Sequence, residues 1–374
     1  MKRRQVLAAG VLAAMTIFCS GCLGGTGSGS GTSHEETLDE QVDRIVSSMS
    51  TTEKVGQMVM IGIQGQDVND DSLYMLHQYH MGGVILFDRN MVSAEQVTAL
   101  TEHLQAQADE KVPLFIGIDE EGGDVVRGKE ALTPPPSQQE IGAGGEVTKA
   151  EEWAAKTAVS LKKLGINVNF APVADVGSPD RRSYSADPDQ VTKFVQAAAQ
   201  GYEQNRELYA LKHFPGIGRG KVDSHQEVSD ITASKDELMQ NDLVPFRTMI
   251  DERQAEDYFI LVSHLKYPAL DAVNSASQSK AVMTDLLRGE LGYNGLIITD
   301  DMEMGAVSKH TSWRQLGVKA VEAGADIVMI CHEYPHETEL YLGLLDAVEQ
   351  GEISESRIDE SVKRIVKAKL LHLK

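Results

Sequence analysis

The feature that most narrows what this chain can fold into is a pattern repeated eight times: a short apolar run, a loop, then an amphipathic helical stretch. The runs cover residues 57–65, 83–87, 114–119, 167–175, 209–214, 258–264, 296–300 and 326–331. Most are continuously apolar rather than alternating, which marks parallel strands buried on both faces. Between them, residues 94–108, 149–164, 188–205, 235–249, 281–291 and 312–323 carry helical periodicity, and Thr51, Ser93 and Ser234 sit where N-caps belong. Residues 353–373 read as a closing helix whose basic end is a solvated face.

Two α/β architectures accommodate such a series, and the polar residues discriminate between them. Asp119, Asp175, Lys212, His213, His264 and Asp300 fall at or just past the C-terminal ends of different runs. An open doubly wound sheet gathers such residues at one switch point, whereas a barrel builds its active face from many strand ends. The expectation is a (β/α)8 TIM-type barrel forming one catalytic domain over residues 38–374. The chain's 374 residues, 41% of them apolar, can bury a core of that size. With 56 acidic against 35 basic side chains the net charge is −21, the wrong sign for replacing phosphate counterions on nucleic acid or for binding anionic lipid by charge. An aromatic content of 5% argues against a lectin-like surface.

The first residues read as an address. Lys2, Arg3 and Arg4 precede an apolar stretch over residues 6–18 and the small-residue segment Cys19-Ser20-Gly21-Cys22, the layout of a secretory signal covering residues 1–21. Ser20-Gly21-Cys22 resembles a bacterial lipoprotein processing site with lipid on Cys22, although Cys19 stands where Leu is preferred. Arg3-Arg4 also resembles a twin-arginine export signal, and an uncleaved anchor is the alternative reading. Residues 22–37 are Gly/Ser-rich and read as a lipid-anchored tether. Every version puts the domain outside the cytoplasmic membrane, touching membrane only through its N-terminus. Cys331 alone falls in the folded part and so has no disulfide partner there.

Two segments carry chemistry. In residues 212–220, three alternating glycines make a loop that leads to Asp223-Ser224-His225. Asp223 can hydrogen-bond the His225 imidazole and tune it for proton transfer, or His225 can be a solvated loop residue beside an incidental carboxylate. In residues 296–302, Asp300 ends a strand, where a rigid carboxylate suits a nucleophile; Asp300 and Asp301 can equally be helix caps.

These segments, with residues 262–271 and 292–305, closely resemble the family 3 glycoside hydrolases, and most closely the single-domain bacterial β-N-acetylglucosaminidases. Asp119-Glu120-Glu121-Gly122-Gly123 matches that family's Asp-x-Glu-Gly-Gly stretch, and residues 170–175 with Arg182-Ser183-Tyr184 match another of its motifs. The resemblance implies Asp300 as nucleophile and His225 as general acid/base oriented by Asp223. It implies Asp119, Arg127, Arg182, Lys212 and His213 as the residues that hold the sugar. Glu120 and Asp124 replace the family's usual Gln and Arg, Ile217 replaces a frequent His, and Ser229 a frequent Pro. Should His225 only bind sugar, Glu120 is the first replacement acid.

The activity implied is exo-acting, retaining removal of terminal β-linked N-acetylglucosamine from muropeptides or chitin-type oligosaccharides by a monomer without cofactor or metal. A phosphorylase or β-glucosidase of the same family is the nearer alternative, and a lipid-anchored sugar-binding protein the one of a different class. His332-Glu333-Tyr334-Pro335-His336 spells a zinc-protease pattern, but that chemistry needs both histidines on one continuous helix face and Pro335 interrupts it. The segment is expected instead to be a loop at the active face, with His332 near the substrate and His336 solvated.

Overall fold

The computed structural model describes residues 36–220, 230–309 and 311–374. Eight parallel strands close into a barrel in chain order: β1 (Val59–Gly62), β2 (Gly83–Leu86), β3 (Phe115–Ile118), β4 (Val168–Asn169), β5 (Leu208–Phe214), β6 (Tyr258–Val262), β7 (Leu296–Asp301) and β8 (Ile327–Ile330). Closure is made by β1 against β8, with Val59 opposite Val328 and Ile61 opposite Ile330. Every residue of β1, β2, β3, β5, β6 and β8 is buried, as unbroken apolar runs require when helices cover the outside and side chains fill the inside.

The expected barrel is therefore observed, with local corrections. The fourth run, 167–175, pairs as a strand over only two residues. Pro172 has no N–H to give the ladder, which resumes past it where Ala174 N donates to Lys212 O at 2.7 Å. The first barrel helix is capped by Ser50, not Thr51: Glu53 lies three residues after Ser50, and the two close a reciprocal capping box. Ser93 and Ser234 do cap their helices. Residues Leu238–Asp242 and Ala281–Glu290 wind as π-helix, a departure that hydrophobic spacing does not announce.

The closing helix, Glu355–His372, lies across the end of the barrel where the strands start. Ser361 and Arg364 bond Asp326 just before β8, and buried Lys369 donates to Gly82 O just before β2. The helix Leu38–Ser48 packs on it through Asp39–Lys367 and Asp43–Lys363 ion pairs. With that end sealed, the opposite mouth is left for a ligand.

Candidate active site

Two strand irregularities set the site. Along a regular strand consecutive side chains point to opposite faces, so Lys212 and His213 could not both reach the mouth. Against β6, however, Lys212 and Phe214 pair with the consecutive residues Leu261 and Val262, leaving His213 as a bulge that re-aims the strand end. A second register shift separates Ile298 from Asp301 on β7, and Asp300 lies inside it. Thr299 Oγ1 fills the ladder there, accepting from Met329 N at 3.1 Å.

The side chains so presented line a cavity of about 120 Å³ with Asp119, Glu121, Arg127, Arg182 and Asp300. Lys212 Nζ lies 2.6 Å from Asp119 Oδ1 and 2.5 Å from Glu121 Oε1. Arg182 grips Glu121 with two bonds, Nε to Oε2 at 2.8 Å and Nη2 to Oε1 at 2.7 Å. The loop holding Glu121 turns through Gly122 and Gly123, whose φ of 100° and 61° other residues adopt only under strain. Gln138 pins the Arg182 loop by donating to Val173 O and Arg182 O, both at 2.9 Å.

Electrostatics keep the cluster charged. Burial works to discharge Lys212, but Asp119 and Glu121 outweigh it and lift the ammonium above the usual lysine range. Burial likewise opposes the Glu121 anion, and Lys212 and Arg182 overcome it, holding that carboxyl far below the usual range. Asp300 follows the same rule: burial would raise it, while His264, His213, the Asp301 N–H and Lys212 lower it. An ionised carboxylate thus stands among fixed donors, as a nucleophile requires.

A buried layer supports these groups. Asp175 is 1% exposed; its Oδ2 bonds His213 Nδ1 at 2.7 Å, and its Oδ1 accepts from Ile217 N at 2.8 Å. The loop beyond β5 packs so closely that a Cβ at Gly218 would meet Val176 O at 1.8 Å.

Of the residues expected from the sequence, Asp119, Arg127, Arg182, Lys212, His213 and Asp300 converge on this cavity. Asp223, His225 and Cys22 lie outside the described residues. Glu120 is not a reserve acid at the mouth: it is 1% exposed and its Oε2 accepts from the backbone N–H of Arg127 and Gly128, at 2.9 Å each. His336, its side chain 34% exposed, is also engaged: Nδ1 meets Glu303 Oε1 at 2.6 Å and the ring stacks on Trp313 at 4.1 Å. Glu121, which sequence reasoning passed over, is the hub of the cluster; its signal was a carboxylate inside a Gly-Gly turn facing two cations.

His332 and His336 do not share a helix face, because the helix Tyr334–Glu349 begins after His332 with Pro335 in its first turn. Among the described residues Asp301, Glu303 and His332 approach at metal-ligand spacing. Their donors are already used. Arg89 Nη1 donates to His332 Nδ1 at 3.2 Å, so Nε2 carries the hydrogen that faces Asp301 Oδ2 at 3.1 Å. Glu303 accepts from Cys331 N, His332 N and His336. The trio is a hydrogen-bonded clasp between the β7 and β8 loops.

A sealed (β/α)8 barrel with a strand-end carboxylate, three cations and further acids at its mouth has the polar lining that a carbohydrate-processing site needs. Residues 50–368 match the family described as Glycosyl hydrolase family 3 N terminal domain, and the chain belongs to that family. It is 35% identical over 326 residues to Beta-hexosaminidase A of Pseudoalteromonas piscicida, covering 79% of this chain and 54% of that one, so it spans about half of that relative's length. It is 32% identical over 386 residues to Beta-hexosaminidase LpqI of Mycobacterium tuberculosis, with 96% and 95% of the two chains covered. A solved family 3 β-N-acetylglucosaminidase from Paenibacillus sp. superposes with a TM-score of 0.84 at 37% identity, covering 87% of this chain and 63% of that one. Among the described residues no helix is long and apolar enough to cross a membrane.

Proposed function

We propose that this chain is an exo-acting, retaining β-N-acetylhexosaminidase, and the observation that carries the reading is the ionised Asp300 at the end of β7 among the donors of the mouth. One Asp300 oxygen, Oδ1, accepts from Asp301 N at 2.9 Å, which leaves Oδ2 for attack at the anomeric carbon. As that bond forms, the glycosidic bond breaks and His225, oriented by Asp223, protonates the departing oxygen. The same imidazole then takes a proton from water as water displaces Asp300, returning the sugar with its original configuration. A histidine in place of a second carboxylate avoids like-charge repulsion against the nucleophile.

Lys212, Arg182, His213, Asp119 and Arg127 would hold the hydroxyls and N-acetyl group, and Glu121 keeps the two cations in place. The cavity is small, about 120 Å³, which supports exo action on muropeptides or chitin-type oligosaccharides over the binding of a long run of sugars. The lipoprotein-like ending at Cys22 and the Gly/Ser-rich segment after it support an extracytoplasmic, lipid-anchored enzyme.

The test compares aryl β-N-acetylglucosaminide with aryl β-glucoside, each with and without phosphate. Preferential hydrolysis of the acetylated substrate, independent of phosphate, is expected. A requirement for phosphate would make the enzyme a phosphorylase. Preference for the glucoside would overturn the substrate, and loss of nothing in Asp300→Ala would overturn the mechanism.

A further inference from the structure

Residue Asp301, next to the nucleophile, is held at every polar atom. Its carbonyl accepts from His264 Nε2 at 2.8 Å, and His264 Nδ1 lies 2.7 Å from Ser277 Oγ. Its Oδ2 faces His332 Nε2 at 3.1 Å, and its Oδ1 accepts from Glu303 N at 3.1 Å. The remaining donor, its own N–H, is the one aimed at Asp300 Oδ1 at 2.9 Å.

The chemistry of the partners puts a hydrogen on the Nε2 of each imidazole, the atom that faces Asp301. A backbone carbonyl can only accept, so His264 must carry its hydrogen on Nε2. A guanidinium can only donate, so His332 must leave Nδ1 bare for Arg89 and carry its hydrogen on Nε2, toward Asp301. Arg89 is itself anchored, donating to Cys331 O at 2.7 Å and Ile63 O at 3.0 Å. His264 beyond β6 and His332 beyond β8 therefore meet Asp301 at the end of β7, and Arg89 ties the β1 and β2 loops to the His332 contact. None of Arg89, His264, Asp301 and His332 lines the cavity that holds Asp300.

We propose that Asp301 is a positioning residue and that the Arg89–His332 pair is its clamp: together they aim one peptide N–H at Asp300 Oδ1, fixing Oδ2 as the attacking oxygen. The proposal rests on Asp300 being the nucleophile. Second-layer contacts of this kind govern rate through orientation, and a misplacement near 1 Å costs about 10²-fold. Losing the N–H also removes one of the groups that keep Asp300 ionised, the others being His264, His213 and Lys212.

The experiment uses His332→Ala, His332→Gln and Asp300→Ala in the full chain, assayed on aryl β-N-acetylglucosaminide across pH. His332 is 44% exposed, so its removal should leave the fold intact, which thermal unfolding checks. In His332→Ala, kcat should fall about 10- to 100-fold with KM little changed. The acidic limb of kcat/KM should move to higher pH. His332→Gln should recover much of the rate, because an amide both accepts and donates, as the fixed tautomer does. Wild-type kcat and an unmoved acidic limb in His332→Ala, beside an inactive Asp300→Ala, would overturn the clamp alone. A rise in KM with kcat unchanged would also overturn it, by making His332 a binding residue. Activity surviving in Asp300→Ala would remove the nucleophile and the clamp together.

Discussion

Glu337→Gln should change how the stability of this protein depends on pH. Glu337 lies in the first turn of the helix Tyr334–Glu349, 1% exposed, with Oε2 lacking a partner among the described residues. A helix N-terminus favours an anion, but burial first, then the negative charges of Glu303 and Asp301, push its carboxyl up from 4.5 to about 9. Between those values the folded chain keeps a proton that the unfolded chain has released. The stabilisation is complete below pH 4.5 and is lost progressively as pH rises toward 9. The loss per pH unit is at most about 1.4 kcal/mol, so about 3 kcal/mol should disappear across two units in the middle of that window. Glutamine has the same shape and no proton to lose. Urea denaturation of both proteins, from mildly acidic to mildly alkaline pH, should show curves that diverge as pH rises, with the variant the more stable at the alkaline end. Other titrating groups are common to the two proteins and cancel. Parallel curves would refute the reasoning and mean that Glu337 is ionised in the native state.

Lys369, buried over the Phe115 ring and lowered by burial to about 7, has the opposite sign: its unfavourable ionisation should make wild-type stability rise with pH above 7, a slope that calorimetry should find missing in Lys369→Met. Glu121→Gln removes the anion between Lys212 and Arg182 and should destabilise by about 3–5 kcal/mol, the usual result of breaking a buried pair, while raising KM; unchanged denaturation would remove its role as hub. In His225→Ala, sugar leaving groups should slow by about 10²–10⁴-fold while dinitrophenolate still departs, and azide should restore turnover as a β-glycosyl azide. Equal slowing of all substrates without azide rescue would make His225 a binding residue only.

The barrel was legible because burying a strand on both faces leaves an unbroken apolar run, a one-dimensional signal. Lys212, His213 and Asp300 were legible as mouth residues because a barrel's strand ends share one mouth whichever loops meet there, whereas Arg182, which ends no strand, was implied only by the family resemblance. Contacts between particular loops leave no such trace: Glu121 finds Arg182 61 positions away, and Arg89 finds His332 243 positions away. The contacts of His336 were hidden for the same reason, since Glu303 and Trp313 reach it from distant parts of the chain. The two bulges were also hidden, because Leu-Lys-His-Phe and Ile-Thr-Asp-Asp read as ordinary strand ends until their neighbours' register is known.

The closing helix has a practical side. Its last turn reaches Asp257 through His372, and Lys367 ties it to Asp39 at the head of the first helix. Asp39 and Lys367 thus meet at the end of the barrel away from the catalytic mouth. A linker to a bead, an electrode or a partner enzyme can therefore be attached at either place and leave incoming glycan a clear approach. Attached to a planar support, the molecules would stand with their mouths outward, and a crowded layer should lose little activity per molecule.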